Sequence, residues 1–335
     1  MNILFIGGTG NISTDCAALL HKSGHCISVL TRGRSPVPAE YVSYRADRND
    51  REAVATLLAD LDIDVVIDFI AFDVPAVATD YELFRGRIKQ FIFISTTVVY
   101  SKPPERLPIT EDFPVGNRFS EYGRKKQACE EFLLTRCSED GFPVTIVRPS
   151  HTYSAQWFPN PVTSAGFTVA SRLRQQKPIF IHDDGQGLWT LTHTTDFAVA
   201  LAGLVGDRDA IGETFHITSD SVLTWNQILS ETCLALRVDD PAIVHIPTDF
   251  ICRAAPIMEA KLRGDKAHHA VFDNAKIKRF VPEFDCKVSF REGIRRSVSW
   301  YEADPSRQVI NPAMDAIFDR VISEWHGSGC PTASV

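Results

Sequence analysis

Short apolar runs alternate with amphipathic stretches along the first half of the chain. Runs rich in Val, Ile and Phe predict strands over Asn2 to Ile6, Cys26 to Leu30, Val42 to Tyr44, Val65 to Phe69, Phe91 to Ser95 and Val144 to Arg148. Between them, apolar residues recur at helical spacing over Thr14 to Ser23, Asp50 to Asp60, Asp73 to Phe84 and Glu121 to Glu139. Strands alternating with helices predict an α/β fold, a doubly wound parallel sheet with helices on both faces.

After about residue 155 the rhythm loosens, with prolines at 159, 161, 178, 241, 247 and 256. Helical segments are expected near Val162 to Gln175, Trp225 to Leu236 and Asp249 to Leu262. Strands returning to the main sheet are expected near Leu191 to Thr194 and Thr214 to Thr218. The organisation predicted is a first unit over 1–155 with returning elements near 190–220, a smaller interleaved C-terminal α/β lobe over 156–326, and a tail over 327–335.

Composition narrows the class. At 335 residues, 44% hydrophobic and 23% charged, the chain is an ordinary globular protein with enough length to bury a substantial core. A net charge of −7 argues against a polyanion-binding surface, so no nucleic-acid partner is expected. The eight cysteines contain no Cys-x-x-Cys pair, which predicts reduced thiols and no metal site. The chain enters a strand directly after Met1, with no signal-like segment and no apolar run approaching a membrane span. A cytoplasmic protein with no membrane partner is the expectation.

The first strand runs into Gly7-Gly8-Thr9-Gly10-Asn11-Ile12 and then an apolar helix. Glycines allow a tight turn and close backbone approach, and the helix N-terminus presents free N–H groups to a pyrophosphate, as in a Rossmann dinucleotide-binding domain. Gly7, Thr9, Gly10, Asn11 and Ile12 are therefore candidate cofactor contacts. Strand two ends in Thr31-Arg32-Gly33-Arg34, with no carboxylate to receive the adenosine ribose hydroxyls. A guanidinium at Arg32 suits a 2′-phosphate, which favours NADP over NAD.

Tyr122 and Lys126 lie four apart in a helical stretch and share a face. A phenol with a reference pKa near ~10 is a poor acid or base at neutral pH, and a neighbouring ammonium together with a nicotinamide cation would lower it. Upstream, the strand Phe91-Ile92-Phe93-Ile94 ends in the hydroxyls Ser95, Thr96 and Thr97.

With Thr110-Glu111-Asp112, Arg148-Pro149 and His193-x-x-Asp196, this order of motifs resembles the extended short-chain dehydrogenase/reductase family, in its NAD-dependent epimerase/dehydratase branch. The resemblance runs through about residues 1 to 220. It implies that Tyr122 is the catalytic acid/base and that Lys126 holds the nicotinamide ribose. It implies that Thr96 bonds the reacting oxygen, and that Asp47, with its neighbour Arg48, lies at the adenine end. It also implies a small-molecule substrate and a homodimer formed through the helix carrying Tyr122.

Departures from the family pattern bear on the substrate. The Asp-Glu pair of its dehydratases is replaced by Thr97-Val98, which argues against a β-elimination. His151 stands where an Asn is common, and Trp189 stands where the sugar-nucleotide enzymes place a diphosphate-binding Arg. Thr97, His151 and Trp189 are candidate substrate contacts. The function predicted is NAD(P)-dependent hydride transfer at a secondary alcohol or ketone of a sugar, nucleoside or cyclitol-like compound. The alternatives are a nucleotide-sugar 4-epimerase and, from another class, a non-catalytic dinucleotide- or RNA-binding module.

Overall fold

Six parallel strands of the N-terminal half are threaded by four helices in a computed structural model that describes residues 1–162 and 166–329. They are β1 (Asn2–Ile6), α1 (Ser13–Lys22), β2 (Cys26–Thr31), β3 (Val42–Arg45), α2 (Arg51–Leu58), β4 (Val65–Asp68), α3 (Val74–Phe84), β5 (Gln90–Ile94), α4 (Glu121–Asp140) and β6 (Val144–Pro149). Strands β1, β4, β5 and β6 are buried along almost their whole length, as a sheet covered on both faces requires. Helices α2, α3 and α4 each start on a side-chain cap, from Asp50, Asp73 and Ser120.

The chain continues through β7 (His151–Tyr153), α5 (Thr168–Arg174), β8 (Ile179–His182), β9 (Leu188–His193), α6 (Thr194–Leu204), β10 (Thr214–Ile217), β11 (Val222–Thr224) and α7 (Trp225–Leu236). It ends with β12 (Ile243–Ile246), α8 (Thr248–Ala254), α9 (Glu259–Lys261), α10 (Ala275–Phe280), α11 (Phe290–Glu302) and α12 (Pro312–Gly327). The main sheet has seven strands in the order β10-β6-β5-β4-β1-β2-β3, and all its pairs are parallel. One core packs α1 and α6 on one face through Cys16, Leu20, Phe197 and Leu201. The other face is covered by Val54, Val77, Phe84 and Leu133.

Strand order reverses between β1 and β4, so their carboxyl ends splay the following loops apart and open a crevice, the usual ligand position in such sheets. A third core around Phe180, Trp189, Trp225 and Phe318 builds the second lobe against that crevice.

Three expectations are corrected. Leu191 to Thr194 does not return to the main sheet: β9 pairs with β7 and β11 in a separate three-stranded sheet, because β10 occupies the free edge of β6. The helix expected over Asp249 to Leu262 stops at Ala254, since Pro256 cannot continue it. A 3-10 turn, α9 and a π-helical turn at Leu262–Lys266 follow. The helix expected from Val162 begins at Thr168; residues 163–165 lie outside the described residues, as do 330–335 of the expected tail, whose Gly327 instead ends α12. No helix among the described residues is long and apolar enough to cross a membrane.

Candidate active site

The turn after β1 is built for close approach. Gly7 adopts φ of 85°, and a Cβ there would sit 2.4 Å from Ile70 Cγ2; at Gly8 it would sit 2.9 Å from Phe5 Cβ. Ser13, where the family pattern has a third glycine, is buried and staples the turn: its hydroxyl accepts from Gly10 N and donates to Gly7 O, both at 2.8 Å. Asn11 reaches across to the Thr152 carbonyl at 3.0 Å, while its Oδ1 is buried without a partner. Backbone stripped of side-chain bulk, facing a crevice with an orphaned polar atom, fits a dinucleotide.

Thr9, Arg32, Arg34, Asp47 and Arg48 line one cavity of about 560 Å³ beside this turn. Arg32 and Arg34 are exposed, and neither has a hydrogen-bond or ion-pair partner among the described residues. Arg48 requires a correction as a cofactor contact. Its guanidinium bonds Asp68 and Asp80, both at 2.8 Å, and both carboxylates are buried. Burial works against Asp68 ionising, yet Arg48 holds its carboxyl below the usual range; burial and the Asp68 charge push Asp80 well above it. The cation is consumed by buried anions, which leaves Arg48 a wall of the cavity.

The second cavity, about 470 Å³, adjoins the first through Gly7, Gly10 and Ile70 and is lined by Asn11, Ile12, Thr96, Thr97, Tyr122, Lys126, His151 and Trp189. The structure thus brings all the candidate catalytic and substrate residues to one space. Thr96 caps a 3-10 turn at Thr97–Val99, accepting from Val98 N at 3.2 Å. Helix α4 comes down on this turn so closely that a Cβ on Gly123 would lie 2.6 Å from the Val98 carbonyl oxygen. That contact places Tyr122 beside Thr96, with both side chains facing the same cavity.

Electrostatics correct a second expectation. Tyr122 is 43% exposed as a residue, yet desolvation pushes its phenol up to about 12, with the nearby Thr96 hydroxyl opposing the rise. Lys126 does not lower it here, because its buried ammonium is spent on the carbonyl oxygens of Ala71 at 2.8 Å and Ile94 at 2.6 Å. Burial brings Lys126 itself down to about 8.

The far wall is aromatic. His151 meets the edges of Trp157 and Trp189 at ring distances of 5.8 and 6.2 Å, and both His151 Nε2 and Trp189 Nε1 are buried without partners. Burial, then the Lys266 charge, drives His151 well below its ordinary pKa, so the ring is neutral. Sequence reasoning missed Trp157, Phe72, which stacks obliquely on Tyr122 at 6.0 Å, and Asp265, a carboxylate from the π-helical turn. The remaining family motifs are structural. Arg148 bonds Glu130 and Tyr100, Glu111 accepts from His216 N, His193 caps α6, and Asp196 accepts from Val288 N.

The profile of the NAD dependent epimerase/dehydratase family matches residues 78–217. The chain is 25% identical over 288 residues to the 2′-dehydrokanamycin reductase of Streptomyces kanamyceticus, covering 85% of this chain and 80% of that one. The chain is thus similar to the extended short-chain dehydrogenase/reductase family. Another relative is the chloroplast stem-loop binding protein of 41 kDa b of Arabidopsis thaliana, 28% identical over 96% of this chain and 83% of that one. Among solved structures, UDP-glucose 4-epimerase from Thermotoga maritima superposes with a TM-score of 0.74 at 20% identity, covering 90% of this chain and 99% of that one. The matched family is that of NAD dependent epimerases and dehydratases, and the named reductase and epimerases are similar to this chain.

Proposed function

We propose that the protein is an NADP(H)-dependent oxidoreductase acting at a secondary alcohol or ketone of a sugar-, nucleoside- or cyclitol-like ring, with Tyr122 as acid/base. The observation that carries this reading is the Thr96–Tyr122 hydroxyl pair at the junction of the glycine-turn crevice and an aromatic-walled cavity. Gly7 to Ile12 would hold the dinucleotide, with Arg32, Arg34 and Asp47 at its adenosine end, and the bound cofactor would supply or accept the hydride. In reduction, the Tyr122 hydroxyl gives its proton to the substrate oxygen while Thr96 holds that oxygen in line; oxidation reverses the transfer. Lys126, facing the same cavity, provides the cation of the site.

The cavity favours a substrate without a diphosphate. Two diphosphate charges in a partly desolvated cleft need cationic partners. Three arginines of the second lobe are engaged elsewhere: Arg172 with Asp315 and Asp319, Arg174 with Glu302, and Arg263 with Asp249. The neutral His151 and the indole of Trp189 suit an uncharged polar ring. The relative named as a 2′-dehydrokanamycin reductase, aligned over 85% of this chain, accords with carbonyl reduction; the UDP-glucose 4-epimerase of Bacillus subtilis aligns over 59%. A nucleic-acid-binding role, suggested by the stem-loop binding relative, fits poorly with a net charge of −7.

Titration of UDP-, GDP- and dTDP-sugars into the cofactor-loaded protein tests the substrate class. Absence of micromolar binding is expected; micromolar affinity for any of them restores the nucleotide-sugar epimerase.

A further inference from the structure

Two charged side chains other than histidine line the substrate cavity among the described residues, Lys126 and Asp265. Lys126 is already tied to two carbonyl oxygens. Asp265 is different: no hydrogen bond or ion pair to its carboxylate occurs among the described residues. Half-buried and without a protein partner against the cavity, its carboxylate stands ready for a ligand donor.

Its position is enforced. Asp265 belongs to the π-helical turn Leu262–Lys266, a form of backbone that recurs at functional sites. The buried Asn117 amide donates both to Gly264 O at 2.6 Å and to Val98 O at 2.8 Å, tying this turn to the loop that carries Thr96. Gly264 itself lies against α4, where an added Cβ would meet Ser120 Cβ at 3.2 Å. The second lobe thereby holds Asp265 close enough for its charge to act on the Tyr122 phenol. Lys102 and Lys266 stabilise the carboxylate at longer range, although burial is the larger influence and raises its pKa; the Lys266 ammonium is itself bound to Asn160 O at 2.7 Å.

Around the same cavity, Ser95 Oγ, His151 Nε2 and Trp189 Nε1 are also buried without partners. An indole N–H only donates, an ionised carboxylate only accepts, and a hydroxyl does both. That set complements a ring with several hydroxyl or amino substituents.

Resting on the oxidoreductase reading above, we propose that Asp265 is a substrate-specificity residue whose carboxylate accepts hydrogen bonds from hydroxyl or ammonium groups of the ring and rejects phosphorylated rings. Sugar phosphates are thereby removed from the candidate substrates.

The test is calorimetric titration of the full chain loaded with NADP⁺, as wild type and Asp265→Asn, with three matched probes: D-glucose, D-glucosamine and D-glucose 6-phosphate. Wild type should bind both unphosphorylated sugars at least about tenfold more tightly than the phosphate, with the amine and hydroxyl arms showing which donor is preferred. Asp265→Asn should lose about tenfold for the unphosphorylated pair and most of the discrimination, with NADP⁺ affinity and Tm unchanged. Preference of wild type for the phosphate, binding of none of the three probes, or an unaltered order in the variant overturns the proposal. Discrimination in binding without any hydride transfer would instead count against the oxidoreductase reading and leave this one standing.

Discussion

The ammonium of Lys126 lies 2.6 Å from the carbonyl oxygen of Ile94, the last residue of β5. With its second bond to Ala71 O, this contact ties α4 to the loops at the carboxyl ends of β4 and β5. This cation is held by two carbonyl dipoles and the faces of Phe72 and Phe93, with no carboxylate bonded to it among the described residues. Burial consequently lowers it from 10.5 to about 8, the opposing pull of Asp68 notwithstanding.

That shift predicts a pH dependence. If the charged amine is required, kcat/KM for reduction falls as pH rises through about 8, and Lys126→Arg, which does not titrate there, lacks this limb. Stability moves the other way. Between about 8 and 10.5 the unfolded chain holds a proton on Lys126 that the folded chain has released, so this group's contribution to stability rises with pH across that window. A pH–rate profile of both proteins, set beside wild-type thermal melts, checks the pair of trends; an alkaline limb that persists in Lys126→Arg assigns it to another group.

Cofactor choice should depend on Arg32, which lines the adenosine-side cavity without a protein partner. Arg32→Ala should weaken NADP by about 2 kcal/mol, the scale of a charge-assisted hydrogen bond, and leave NAD nearly unchanged. Direct titration of both dinucleotides decides this, and a wild-type preference for NAD contradicts it.

Arg48 should behave as a stability residue. Truncating it strands Asp68 and Asp80 in the interior, so Arg48→Ala should cost about 3–5 kcal/mol in urea unfolding. The variant that remains folded should discriminate NADP from NAD as wild type does. A selective loss of NADP with unchanged stability would return Arg48 to the cofactor.

The main sheet is legible in the sequence because strands buried on both faces leave short, continuous apolar runs such as Phe91 to Ile94, set between helices of distinct period. The second lobe is less legible. Strand β9 carries no mark of which sheet it joins, a choice made by the competition of β10 for the β6 edge. Helix α11 was open to recognition, since Phe290, Ile294, Val298 and Tyr301 fall at helical spacing and are buried, yet the pattern reading leaves it unassigned. Thr96, Tyr122 and Lys126 are marked by their motif spacing along one sheet-and-helix unit. Asp265 has no such mark: it is one acid between Arg263 and Lys266, and only the π-helical turn and the Asn117 bridge bring it to the cavity.

In the proposed reaction the Tyr122 phenol protonates the substrate oxygen as the hydride reaches its carbon. This step is tested most directly by incubating the protein with NADPH deuterated at the transferring C4 position and a pool of polyhydroxylated ketones, and following deuterium into product by mass spectrometry. Wild type should place one deuterium on carbon, and Tyr122→Phe should bind NADPH normally yet lower the transfer rate by at least two orders of magnitude, about 3 kcal/mol of transition-state stabilisation. No deuterated product from wild type, or undiminished transfer by Tyr122→Phe, would contradict the account.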